Sequence, residues 1–455
     1  MGALLYRSLA TAVYCSALFL GGCCVNIVGP AGPTLSHTLH ASVTMIGNVF
    51  AAEGAGNTIG SSLVAPLLER YSGHSILSCL CLILFFVVGL VPSCTSFLHV
   101  VGLYVIVGCC LGLLNGSAQT LVTWLHTGHN VGPWVNLINA SFGLGASCAP
   151  LVFVAAERRM GNGLVAFSVI GAFASVPALA ASLLQSPQQP HAAPRSELHQ
   201  AEEDEWDRHP LRKVHSIRHG GSSIAGVDLG SRAAYLRVTV FGPLMAAITL
   251  GIGSEIAFAG WIYTYATEHS AMRRATAAYL NSLFWSTFTA GRVCTIPLAA
   301  YVSPGGLLLP TLLLELASLL LIATIPASES ALWLGTVGAG IGYCALYSNI
   351  ISLLASYALL TPSTVSAMGM AAALGHMVIP NFVGLAIHTG GLGYGALIWI
   401  CLVNNAVSFG CVCSVVFHLR HNFTPTPDSV QGMQLLKVRQ AELEAAAEGR
   451  LAESI

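Results

Sequence analysis

The chain has 455 residues, of which 55% are hydrophobic and 8% charged, with a net charge of −1 at neutral pH. An ordinary soluble domain carries about 25% charged residues, so 18 basic and 19 acidic side chains cannot give a body of this size a water-facing skin. The near-zero charge excludes a nucleic-acid partner and a polybasic membrane anchor. No H-E-x-x-H, G-x-S-x-G or G-x-x-x-x-G-K-[ST] stretch points to an enzyme or to an ATP-driven pump.

Apolar runs of span length follow one another along the chain. Twelve membrane-spanning helices are predicted: 8–29, 43–66, 75–92, 98–123, 131–155, 163–185, 234–266, 275–300, 305–325, 331–357, 363–388 and 391–418. The first run, with Arg7 before it, resembles a signal peptide, but it continues through Val28 and eleven similar runs follow; it reads as a span. Residues 187–231 are polar, Pro- and Gly-rich and highly charged, which predicts a disordered linker. The tail over 419–455 has a similar composition, with helical potential over 431–451. The 14 cysteines lie almost wholly inside apolar stretches, without C-x-x-C spacing, and read as small buried fillers. No cofactor or metal is expected. Asn115 and Asn139 begin glycosylation sequons, but both fall within spans.

The linker divides the spans into two sets of six, and the sets repeat. Leu144-Gly145 and Pro150 of span five match Leu374-Gly375 and Pro380 of span eleven at an offset of 230. Gly108 and Gly112 of span four match Gly338 and Gly342 of span ten at the same offset. Gly22 matches Gly253 at 231, and Ala55-Gly56 matches Ala290-Gly291 at 235. A duplicated six-span unit is the plan of a two-lobed transporter. The expected domains are a lobe over 1–186, a cytoplasmic linker over 187–231, a second lobe over 232–418 and a cytoplasmic tail over 419–455. With both termini in the cytoplasm, 13 of the 18 basic residues lie on that side. Small glycines let helices approach closely in lipid, and Pro150 and Pro380 are expected to bend their helices.

An ionised side chain at the bilayer centre costs about 3 to 17 kcal/mol, so it must face the protein interior or a wet cavity. Polar residues form stripes at helical spacing: Glu53, Asn57 and Gly60; Asn115, Gln119 and Thr123; Asn136, Asn139 and Gly143; Asn281, Trp285, Phe288 and Arg292. Amides beside aromatic faces suit a sugar, which offers hydroxyls to pair and C–H faces to stack. Asn115, Gln119, Asn139, Asn281 and Asn349 are candidates for pairing, and Trp261, Trp285, Tyr263 and Tyr347 for stacking. The alternative for each amide is a bond between helices, worth about 0.6 kcal/mol. Glu255, alone in "GSEIAFAGWIYTYA", is a candidate for cation coupling, or else a static partner of Arg292. Glu53 is a second coupling candidate, or else lies near the outer mouth. Arg292 reads as a structural counter-ion, and Glu315 has no assignable partner. His376 reads as a hydrogen-bonded structural histidine, with proton relay as the alternative.

These stretches resemble the major facilitator superfamily, and within it the sodium-dependent glucose transporter group, near the fucose–proton symporters. The likeness lies in 253–266, in "AAYLNSLFWSTFTAGRVCTIPLA", "NASFGLGASCAPL" and "ALGHMVIPNFVG", and in span one's "GGCCVNIVGPAGPTL". It implies cation-coupled uptake of a monosaccharide by a lipid-embedded monomer of twelve helices, coupled to sodium or protons. The superfamily's gating motif after span two is altered to "APLLERYSGHS", in which Glu69 and Arg70 remain to hold a cytoplasmic gate. Relatives carry an acid in span four where this chain has Asn115 and Gln119, and a carboxylate where it has His376. A carrier of another small polar or anionic solute, and a membrane sensor without flux, stay open as alternatives.

Overall fold

The computed structural model describes residues 3–42, 45–126, 132–187, 235–299, 301–326, 328–357, 359, 362–389, 391–423 and 425. The predicted linker and tail, with the helix foreseen over 431–451, lie almost wholly outside them. Every regular element among the described residues is helical. Lipid requires this, because it offers no water to unpaired backbone groups and each span must close its own hydrogen bonds.

Twelve rods follow in order: Ala3–Asn26 with Val28–Thr38; Ile46–Ser62 with Val64–Arg70; Gly73–Leu90; Phe97–Leu125; Gly132–Met160; Val165–Phe173 with Ser175–Leu183; Gly242–Thr264; Arg274–Leu298; Pro304–Thr324; Glu329–Tyr343 with Leu346–Ser356; Pro362–Thr389; and Ala396–Asn422. They are the first to twelfth spans. Among the described residues, ten are long and apolar enough by themselves to cross a membrane. The second and eighth are the exceptions. Ile46–Ser62 is 17 residues long and holds Glu53, while Arg274–Leu298 carries Asn281, Arg292 and a run of hydroxyls.

Local chemistry sets the ends and breaks. Ser72, Ser96, Ser303 and Ser328 each cap a helix start by accepting a backbone N–H with the side chain. Three breaks share one cause. Helical segments end at Asn26, Ser62 and Phe173, each four residues before Pro30, Pro66 and Pro177. Proline has no N–H for the carbonyl four residues back, and its ring presses on that carbonyl. Pro150 and Pro380, expected to bend their spans, lie inside unbroken helices. The tenth span breaks at Cys344–Ala345 without a proline.

The first six spans form one lobe and the last six the other. In the first lobe, span one packs on five, two on four, and three on six. In the second lobe, seven packs on eleven, eight on ten, and nine on twelve. The repeat read from glycine spacing is physical at the first of these pairings. Gly22 lies against the backbone of Phe142 and Ala146, and Gly145 against that of Phe19. Their counterparts Gly253 and Gly375 lie against each other's turns in the same way. Spans four and ten diverge. Gly108 and Gly112 face Glu53 and Asn57 of span two, whereas Gly338 and Gly342 face Ser318 and Glu315 of span nine. The outer faces stay apolar, with Leu98 and Leu183 each 75% exposed, as a lipid-facing surface demands.

Candidate functional site

The lobes meet along two seams, between spans two and eleven and between spans five and eight. Hydrogen bonds cross both. Ser282 donates to the Ser147 carbonyl at 2.6 Å. Asn26 of span one donates to Asn281 Oδ1 at 2.9 Å, and Asn281 donates to the Ala259 carbonyl at 3.0 Å. Asn381 donates to Asn48 at 2.8 Å. The Trp261 indole N–H donates to the Pro380 carbonyl at 3.0 Å, a bond within the second lobe like that of Asn281 to Ala259, and across the seam its ring lies 6.3 Å from that of Phe50. At the rim Arg274 pairs with Glu157 at 2.9 Å. Counting crossings, these contacts lie at mid-depth and toward the side away from the described chain ends. The two lobes are sealed there.

Toward the side of the chain ends lies a cavity of about 240 Å³. Ligand pockets typically run from about 300 to 1,000 Å³, so this one suits a small solute. Asn136 and Asn139 of span five line one wall; Arg292 of span eight and Cys344, Ser348 and Asn349 of span ten line the other. The chamber therefore draws its walls from both lobes. The break at Cys344–Ala345 lies in its wall and re-aims the polar turn that follows.

Several predicted site residues meet here. Gln119 donates to Asn139 Oδ1 at 2.9 Å, while Asn139 donates to the Val135 carbonyl. The Asn349 amide nitrogen is buried and has no partner. Arg292 is anchored by its Nε–H on the Cys344 carbonyl at 3.2 Å and lies 4.5 Å from the Phe288 ring centre. Tyr347 is adjacent in sequence but is not part of the wall, and Asn115 is exposed on span four.

Others lie elsewhere. Trp261 and Asn281 belong to the seal: the Trp261 ring meets Phe50 of the first lobe while its N–H is held within the second, and Asn281 accepts from Asn26. Trp285 is buried among Phe142, Phe284 and Phe288, its indole N–H unpartnered. Glu255 is buried behind the chamber wall, close enough to Arg292 to feel its charge but without a direct ion pair among the described residues. Glu53 faces His376 across the seam between spans two and eleven, Oε1 to Nε2 at 3.9 Å. Glu69 and Arg70 are exposed, with no ion pair among the described residues. Glu315 is wholly buried, both oxygens unpartnered, against Gly342. Sequence reasoning passed over Asn26, whose signal was an amide in an otherwise apolar span, and left Asn136 as a stripe member only.

Two duplicated six-helix lobes around a chamber walled by both are the architecture of a solute carrier. A family model described as Major Facilitator Superfamily matches residues 14–380, and the chain belongs to that superfamily. It is 25% identical over 386 residues to "Sodium-dependent glucose transporter 1" of Xenopus laevis, covering 79% of this chain and 72% of the relative. It is 24% identical over 402 residues to "Sodium-dependent glucose transporter 1A" of Mus musculus, covering 81% and 88%. Among solved structures, a mutant of nucleoside transporter NupG aligns with a TM-score of 0.65 at 13% identity, over 90% of this chain and 99% of that one. That likeness concerns the fold.

Proposed function

We propose that this protein is a secondary active transporter that moves a glucose-like monosaccharide by alternating access, coupled to sodium or protons. The observation that carries the reading is the chamber: a solute-sized space between duplicated lobes, walled by amides and hydroxyls and sealed on one side. The relatives named as sodium-dependent glucose transporters support the substrate class and the coupling. Asn349, Asn139 and Asn136 pair with sugar hydroxyls, and Gln119 orients Asn139. Asn281 and Trp261 act in closure. Glu255 is the coupling acid: a cation or proton on it changes the field at Arg292, and Arg292 lines the chamber. Glu69 and Arg70 meet a partner only when the chamber closes on their side. The basic-residue count favours both termini in the cytoplasm, and on that reading the present form faces inward. The carrier works as a monomer.

A second reading has its own observation. Arg292 is the one charged residue among those named in the chamber wall, which favours a small anionic solute. Uptake of labelled glucose into proteoliposomes, with and without a sodium or proton gradient, tests both. Saturable uptake that needs a gradient is expected. Saturable uptake of anions alone would establish the second reading, and no flux by well-folded protein would leave a sensor.

A further inference from the structure

Glu53 and His376 meet across the seam between spans two and eleven, one from each lobe. Their separation, 3.9 Å, is a charge–charge distance, too long for a hydrogen bond. Both side chains are buried, Glu53 at 1% exposure. Glu53 Oε2 and His376 Nε2 have no hydrogen-bond partner. The backbones around them are in close contact, Gly54 against Met377 and Gly47 against Asn381, so the site is sealed while the lobes are together. The ionisable groups facing Glu53 from neighbouring spans are Cys24 of span one and Tyr104 of span four. On span seven, which packs on span eleven, Glu255 lies within reach of the charge of Arg292.

We propose that Glu53 and His376 form a proton-binding site shared between the lobes, and that closing the outer seam takes up one proton. The argument is one of charge. A bare carboxylate beside a neutral imidazole leaves an uncompensated charge buried away from water, which is strongly unfavourable. Adding one proton removes it, either on Glu53, giving two neutral groups, or on His376, giving an ion pair. When the seam opens, both groups reach water. There a glutamate loses its proton above about pH 4.3 and a histidine above about pH 6.5. Between neutral and alkaline pH the open pair holds no extra proton and the closed pair holds one. Below about pH 6.5 the open pair already carries its proton on the histidine, and closure becomes pH-independent.

The inference rests on the alternating-access reading but not on any substrate. Spin labels on cysteines replacing Met45 and Thr389, at the outer ends of the two spans, report the open and closed populations without transport. They would be placed in a background lacking accessible native cysteines. The closed-to-open ratio is expected to fall up to tenfold per pH unit above about pH 6.5 and to level off below it. Glu53→Gln should remove the dependence above about pH 6.5 and hold the seam closed there. His376→Gln should extend the slope down toward about pH 4.3, because the open state then has no second proton acceptor. A wild-type ratio independent of pH above about pH 6.5 would overturn the proposal, as would a slope in that range that survives Glu53→Gln. If Glu53→Gln fails to fold, the extended slope of His376→Gln still decides: an unchanged profile rejects the shared site. Failure of glucose uptake alone, with these slopes intact, would reject the substrate and leave the proton site standing.

Discussion

Asn281 ties three spans together. It accepts from Asn26 of the opposite lobe and donates to the Ala259 carbonyl, with no exposed surface. Asn281→Ala leaves both partners short of a bond inside the seal. Each such loss costs about 1–3 kcal/mol, so the sealed arrangement should lose roughly 5- to 150-fold in population. Distance measurements across the outer rim would check this. Glu255→Gln keeps the shape of the wall but cannot take up a cation. It should abolish gradient-driven accumulation and leave counterflow exchange; unchanged accumulation would show that Glu255 does not couple. Glu315→Gln is expected to leave uptake within about twofold of wild type, because Glu315 makes no polar contact that the amide would break. Residue type and helical spacing pointed to Asn139, Gln119, Asn349 and Arg292, which do meet around one chamber. The same signals also selected Trp261 and Asn281. Seal and chamber call for identical chemistry, and only depth along the seam, which sequence does not encode, separates them.

At the scale of helices, glycine-to-backbone contact decides which spans can lie together. Gly375 is pressed against Thr249 and Gly253 of span seven, while Gly369, on the same helix, has nothing within 4 Å of where a Cβ would stand. Gly375→Val should collapse the yield of folded protein or lower its melting temperature sharply, and Gly369→Val should be nearly silent, as read by thermal shift in detergent. The glycine matches at offsets near 230 were a sound guide to the pairing of spans one and five with seven and eleven. For spans four and ten the matches mark the repeat but not the neighbour, because a glycine pair announces a close contact without saying with which helix. Helix breaks were legible in hindsight at Pro30, Pro66 and Pro177. The break at Cys344–Ala345 carried no such mark.

Across the whole molecule, the seams define what must move. Rocking of one lobe against the other has to separate Asn48 from Asn381 and Asn26 from Asn281. Cysteines replacing Asn48 and Asn381, once cross-linked, should halt uptake and release it on reduction, with cysteine-substituted background protein as the control. The two-lobed plan was readable because duplication leaves its mark in spacing and lipid enforces helices. The state of the carrier was not readable, since one sequence must serve every stage of the cycle. The composition of the outer seal has a consequence for the medium in which it works. Amides, a serine hydroxyl on buried backbone and a contact between aromatic rings hold it, and its pair at the rim, Arg274 with Glu157, stands partly in water. Dissolved ions weaken exposed pairs and hardly touch buried dipoles. The lock should therefore grip almost equally in dilute buffer and in brine, so that any dependence of uptake on sodium would report an ion that is bound rather than a general effect of ionic strength.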